Sequence, residues 1–197
     1  MSGAGLSRRQ LAVGLGVAPV LAACTAKVEG GAETSGPALS CTLILVRHTE
    51  KVGDGSADPA LTDAGQARAE EFARTFEHAG VTALLHSGLI RTRDTLAPLA
   101  ARTGVKSEAI APGDMDAWVA RLSSFGPGDV VAVAGHSNTI PALAHAFGVL
   151  LPDLEAVELD PPIPHGYLPH GAYDRVHVLT PGQGRARLLE MRYGAPS

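Results

Sequence analysis

The 197-residue chain carries a net charge of −4 and a pI near 6.0, so it offers no basic surface for nucleic acid. Hydrophobic residues make up 45% of it, too many for an intrinsically disordered protein. It has two cysteines, Cys24 and Cys41, and no CxxC or HExxH spacing that would mark a metal site.

The N-terminus does not read as part of a fold. Ser7-Arg8-Arg9-Gln10-Leu11 opens a charged stretch, and residues 11–23 form an apolar run rich in Ala, Gly and Val. That run falls short of the roughly 20 apolar residues a membrane span needs but suits the apolar region of a signal peptide. Gly14, Gly16 and Pro19 would make it a poor core helix. Ser-Arg-Arg-x-Leu resembles the twin-arginine export signal. Leu21-Ala22-Ala23-Cys24 resembles a lipobox, at which cleavage exposes a lipidated cysteine. The expectation is a signal peptide over residues 1–23 and an exported protein held at the cell envelope. Lipidated Cys24 would be its attachment to a membrane surface. Residues 24–40, rich in Gly, Ser, Thr and Ala, read as a flexible tether. The folded domain is then 41–197, one domain of ordinary size. Its Cys41, left without a partner, reads as a small buried hydrophobe.

Within that domain apolar runs alternate with helical patterns. Strands are expected at 41–46, 81–85, 105–110 and 130–134. Helices are expected at 62–78, 89–101, 115–123 and 139–150. The first helix would be capped by Thr62 or Asp63, with Ala64, Ala67, Phe72 and Phe76 on one face. Pro98 should interrupt or kink the second helix. Asn138 should cap the fourth, with Pro141 in its first turn. Trp118 reads as a core anchor. Residues 151–170 are proline-rich and aperiodic, a long surface loop. Strands at 175–179 and 186–191 then form a hairpin at a sheet edge. The order β-α-β-α-β-α-β-α predicts a three-layer α/β/α sandwich around a mainly parallel sheet.

Three of the strands end in groups suited to phosphate. The first runs through Leu43-Ile44-Leu45-Val46 into Arg47-His48, the second into His86-Ser87-Gly88-Leu89-Ile90-Arg91, and the strongest into Gly135-His136-Ser137. Ligands of open α/β sheets bind beyond the carboxyl ends of the strands. There a guanidinium supplies a planar fork of donors, and an imidazole neutral near pH 7 can attack phosphorus. A single Arg-His pair after a strand is commonly a structural pair. Three such endings at one edge converge on a common point.

At these positions the chain resembles the histidine phosphatase superfamily, the phosphoglycerate mutase-like proteins. The resemblance rests on Arg47-His48-Thr49, Leu61-Thr62-Asp63-Ala64-Gly65, Ser87 through Thr95, and His136 after its strand. The segment from Tyr173 to Gly194 is similar to the ending of small bacterial members. The resemblance implies a phosphatase that needs no metal or other cofactor. His48 would attack phosphorus and become a phosphohistidine, which water then hydrolyses. Arg47, Arg91 and His136 would stabilise charge on the phosphoryl oxygens. Its partner would be a small phosphorylated substrate, with residues 52–59 and 151–170 setting specificity. A mutase is disfavoured, because the chain is short.

The proton donor for the leaving group is unassigned. Asp114, Asp116 and Glu50 are candidates, or the acid is absent, as in relatives acting on phosphohistidine proteins. Asp114 and Asp116 read equally well as caps of the third helix. His78, His86 and His145 read as structural or surface groups. His165, His170 and His177 read as rim candidates at most, Arg93 as a solvated helix residue, and Lys51 as a charge at the mouth. An alternative of another class is a catalytically weak or silent envelope lipoprotein that binds phosphorylated ligands. A metal site on His48 and His136 is disfavoured, because the flanking arginines would repel a cation. Substrate and oligomeric state are left open.

Overall fold

A computed structural model of the chain describes residues 37–156, 165–183 and 185–197. The expected signal peptide, Cys24 and most of the expected tether lie outside these residues, as does the middle of the proline-rich loop.

Ten elements follow one another: β1 (Thr42–Arg47), α1 (Asp63–Phe76), β2 (Ala83–His86), α2 (Ile90–Thr103), β3 (Ser107–Ala109), α3 (Met115–Ser123), β4 (Val130–Gly135), α4 (Thr139–Ala146), β5 (Arg175–Thr180) and β6 (Arg187–Arg192). They build one six-stranded sheet in the order β3-β2-β4-β1-β5-β6. Pairs β2–β3, β2–β4 and β1–β4 are parallel, whereas β5 is antiparallel to both β1 and β6. The expected mainly parallel sheet, with its hairpin at one edge, is what forms.

The period of two in the strands splits the core into two layers. Leu43, Leu45, Val131 and Val133 face a cluster with Trp118, Leu122, Ile140 and Leu143 of α3 and α4. Ile44, Val46, Ala132 and Ala134 face the opposite cluster, with Phe72, Phe76, Leu96 and Leu99 of α1 and α2. The central strands are buried on both faces, so they read as unbroken apolar runs. Trp118 is fully buried and donates its indole N–H to the Ala111 carbonyl at 3.1 Å, the core anchor expected of it. β3, an edge strand, shrinks to three exposed residues, Ser107–Ala109.

Five local expectations change. The buried face of α1 is Gly65, Arg68, Ala69, Phe72, Ala73 and Phe76, while Ala64 and Ala67 are exposed. The shift follows from Gly65: a Cβ there would sit 2.1 Å from the Glu50 carbonyl oxygen, so the helix meets the chain after β1 at a residue without a side chain. Thr62 is the N-cap and accepts from the Gly65 amide at 3.0 Å. Helix α2 runs through Pro98 without interruption. Asn138 occupies the N-cap of α4 but makes no capping hydrogen bond. That helix stops at Ala146, because Gly148 turns left-handed (φ 77°) and the amides of Gly148 and Val149 close back on His145 and Ala144. The proline-rich loop is also not purely superficial. Leu151 and Leu168 at its two ends are buried in the core, and Glu155 pairs with Tyr167 across it.

Candidate active site

The site is built by sheet register. Arg47 lies opposite Gly135 on the neighbouring parallel strand, and Ala134 lies opposite His86 on the next. The amide of His48 extends the ladder by one bond, donating to the Gly135 carbonyl at 2.9 Å. Three strands therefore end level with one another, and the residues that follow them converge. The rings of His48 and His136 stand edge to face with centroids 5.5 Å apart. The ring of His136 places Nε2 2.8 Å from the Ser87 hydroxyl.

His48 is only 4% exposed. Its Nδ1 lies 2.8 Å from the Thr49 carbonyl oxygen. A carbonyl can only accept, so Nδ1 carries the proton and the lone pair lies on Nε2. Burial, together with the cations of Arg47 and Arg91 and the His136 ring, depresses the His48 pKa to about 3. His136 is pushed down to about 4 by burial, Arg91 and Arg47. Both rings are neutral at pH 7. Thr49, which holds His48, is itself tied to α2: its amide donates to the Thr95 hydroxyl at 3.0 Å, and that hydroxyl donates to the Arg91 carbonyl.

Neither arginine of the cluster is neutralised in the way a structural arginine is. Arg47 spends Nη1 on the carbonyls of Pro169 and His170, at 2.9 and 2.8 Å. Its guanidinium lies over the Tyr173 ring, 4.4 Å from the centroid. Arg91 has one loose contact, 3.4 Å to Asp58. The Nε atoms of both arginines are buried with no partner among the described residues. Orphaned cationic donors are costly unless an anion uses them. Residues 52–59 and 151–170, expected to shape specificity, both reach the arginines, through Asp58 and through the carbonyls of Pro169 and His170.

The sequence missed several supports. Asp58 accepts from the Ile90 amide with both oxygens, at 3.0 Å each, so it caps α2 from outside the helix while touching Arg91. Tyr173 also lies beside His48, ring centroids 6.1 Å apart. His86 ends β2, and its Nδ1 accepts from the Gly88 amide at 3.0 Å.

Of the acid candidates, Glu50 is committed elsewhere. Arg68 grips both of its oxygens at 2.7–3.0 Å. Asp114 is the N-cap of α3 and accepts from the Ala117 amide at 3.0 Å. Asp116 is exposed in the first turn of the same helix. None of the three hydrogen-bonds to the His-Arg cluster. His177, expected at a rim, is fully buried inside β5, and His78 is exposed.

Residues 43–111 match the model of the histidine phosphatase superfamily (branch 1), across the segment that holds Arg47, His48 and Arg91. Over that stretch the chain is similar to the histidine phosphatase superfamily. The fold of the chain is shared with solved structures. YhfR from Bacillus stearothermophilus superposes with a TM-score of 0.58 at 16% identity, over 76% of this chain and 95% of that one. A candidate phosphohistidine phosphatase, SixA, from Agrobacterium tumefaciens does so with 0.53 at 20% identity, over 80% and 99%. A candidate SixA from Nakamurella multipartitia gives 0.51 at 24%, over 81% and 99%. No curated protein matches the sequence. At these identities the superpositions establish the histidine phosphatase fold and leave the chemistry to the site itself.

Proposed function

We propose that the protein is a phosphatase that hydrolyses small phosphorylated substrates through a phosphohistidine on Nε2 of His48. One observation carries the reading. A buried neutral imidazole has its lone pair fixed on Nε2 by the Thr49 carbonyl, beside two arginines that each retain an unpartnered Nε–H. A phosphoryl group placed there meets a nucleophile at no cost of deprotonation, and cations to hold its oxygens.

The steps follow from that geometry. Nε2 attacks phosphorus in line with the leaving oxygen, and the P–O bond breaks as the P–N bond forms. Charge spread over the equatorial oxygens is met by Arg47, Arg91 and His136. Water then attacks the phosphoimidazole, returning neutral His48 and releasing phosphate. With Glu50 held by Arg68, and with Asp114 and Asp116 making no bond to the cluster, the reading favours substrates whose leaving group departs without strong protonation, such as phenols, phosphoramidates and anhydrides. The same lack of a seated acid is the one observation that favours the second reading, a phosphate-binding protein of the same fold with little or no turnover.

The test is turnover of p-nitrophenyl phosphate and a panel of phosphometabolites by the wild type and by His48→Ala. Turnover that vanishes in the variant is expected. Turnover that survives it overturns the mechanism, and phosphate or vanadate binding without turnover in the wild type supports the second reading.

We further propose that the enzyme works outside the cytoplasm on a lipid tether. Support comes from Arg8-Arg9 ahead of an apolar run that ends in Leu21-Ala22-Ala23-Cys24. Cys24→Ser should move the protein from the membrane fraction to the soluble fraction and abolish palmitate labelling. Unchanged fractionation contradicts the tether.

A further inference from the structure

A chain of buried hydroxyls runs from His136 into α2. His136 Nε2 lies 2.8 Å from the Ser87 hydroxyl, that hydroxyl lies 2.9 Å from the Thr92 hydroxyl, and the Thr92 hydroxyl lies 2.9 Å from the Leu89 carbonyl oxygen. Ser87 and Thr92 are buried and each has one proton to give. The carbonyl cannot donate. Only one direction makes all three bonds: Thr92 donates to Leu89, Ser87 to Thr92, and His136 to Ser87. The reverse direction abandons the bond to the carbonyl and satisfies two.

We infer that Ser87 and Thr92 are positioning residues that hold His136 protonated on Nε2, so that the two histidines of the site are opposite tautomers. His48 carries its proton on Nδ1 and its lone pair on Nε2. His136 carries its proton on Nε2 and leaves Nδ1, which has no partner among the described residues, to the phosphoryl group. The assignment of Nδ1 to the phosphoryl group rests on reading the cluster as the phosphoryl-transfer site. The tautomers themselves follow from the hydroxyl chain and the Thr49 carbonyl alone.

The difference has a chemical use. The nucleophile must present a lone pair to phosphorus. The second ring must present a proton to an equatorial oxygen. His136 takes that proton on Nδ1 from the entering phosphoryl monoanion or from water when the anion settles among Arg47, Arg91, Asp58 and His48, the charged and titratable groups around it. Its Nε2–H, already spent on Ser87, keeps the ring from rotating as the charge changes. Loss of the Ser87 hydroxyl would remove that anchor without touching substrate.

The test is proton-detected nitrogen NMR of the full chain labelled with 15N at histidine, with His48 and His136 assigned by His→Gln variants, alongside pH profiles of kcat. At pH 7 the account expects His48 protonated on Nδ1 and His136 on Nε2. Ser87→Ala and the isosteric Thr92→Val should each erase the fixed His136 pattern and leave that of His48 intact. Each should lower kcat by about tenfold and displace its acid limb. Thr92→Ser, which keeps the hydroxyl, should restore the His136 pattern. His136 protonated on Nδ1 in the wild type, or a pattern indifferent to Ser87→Ala, overturns the inference. Correct tautomers in a protein without turnover would instead count against the proposed function, and so the two failures are distinguishable.

Discussion

Two buried Arg-His arrangements occupy this sheet, and they differ in how their charge is met. At the end of β1, Arg47 and His48 have no carboxylate partner among the described residues. Arg47 bonds to two backbone carbonyls and, at 3.5 Å, to the Tyr173 hydroxyl, lies over the ring of that tyrosine, and keeps an orphan Nε. At the start of β5, the strand antiparallel to β1, Arg175 and His177 are the same residue types, and there the arginine meets the opposite outcome. Arg175, 1% exposed, is clamped by both oxygens of Glu190 at 2.8 and 2.9 Å and by the carbonyls of Pro152 and Asp153. His177 beside it is 0% exposed, and neither of its ring nitrogens has a hydrogen-bond partner among the described residues. A buried arginine whose donors are consumed by the protein ties the proline-rich loop to the sheet. One whose donors are left over can meet an anion, as the proposed function requires. Residue type and strand position therefore do not separate the two arginines; charge compensation does.

Parallel substitutions at the two pairs should have different consequences. The largest effect is expected at His48. His48→Ala should lower kcat by at least about 10³-fold with unchanged far-UV circular dichroism. At the arginines the two regions should part company. Arg47→Gln should cost about 10²- to 10³-fold in kcat with little change in unfolding free energy. Glu190→Gln, which strands the Arg175 charge, should cost about 3 kcal/mol in urea unfolding while kcat per folded molecule holds. If Glu190→Gln abolishes turnover at full stability, the division is wrong.

Asp58→Ala should lower kcat/KM by about tenfold, because it releases both Arg91 and the first amide of α2. Full kcat/KM in the variant would remove Asp58 from the site. The smallest effect is a slope. The pKa of His48 is depressed to about 3, and those of His136 and His177 to about 4. Between those values and pH 6.5 the unfolded chain binds protons that the folded chain refuses, so stability should rise with pH over that window and level off above it. Urea midpoints measured from pH 4.5 to 7.5 check this, and His177→Gln should flatten the rise in part.

The strand endings were legible because both-face burial writes itself as uninterrupted apolar sequence, and Arg47-His48, Ser87 and Gly135-His136 each follow such a run. The layers were legible for the same reason. What the sequence hid depends on contacts across long separations. The carbonyls of Pro169 and His170 reach Arg47 only because β5 folds back antiparallel to β1. Asp58 reaches the start of α2 only once the loop after β1 is in place. The face of α1 was misread because Gly65 and Arg68 are not apolar, yet backbone contact with Glu50 buries one and a carboxylate buries the other. Glu50 itself, two residues after His48 in sequence, is drawn to Arg68 instead.

The central claim is that Nε2 of His48 takes the phosphoryl group, and trapping the intermediate tests it most directly. Enzyme quenched in alkali during turnover of a phosphorylated substrate should carry one phosphoryl group per chain. That group should be acid-labile, be assigned by 31P NMR and mass spectrometry to Nε2 of His48, and be absent from His48→Ala. A phosphoryl group on Nδ1, on another residue, or on none at all during demonstrated turnover would contradict the account.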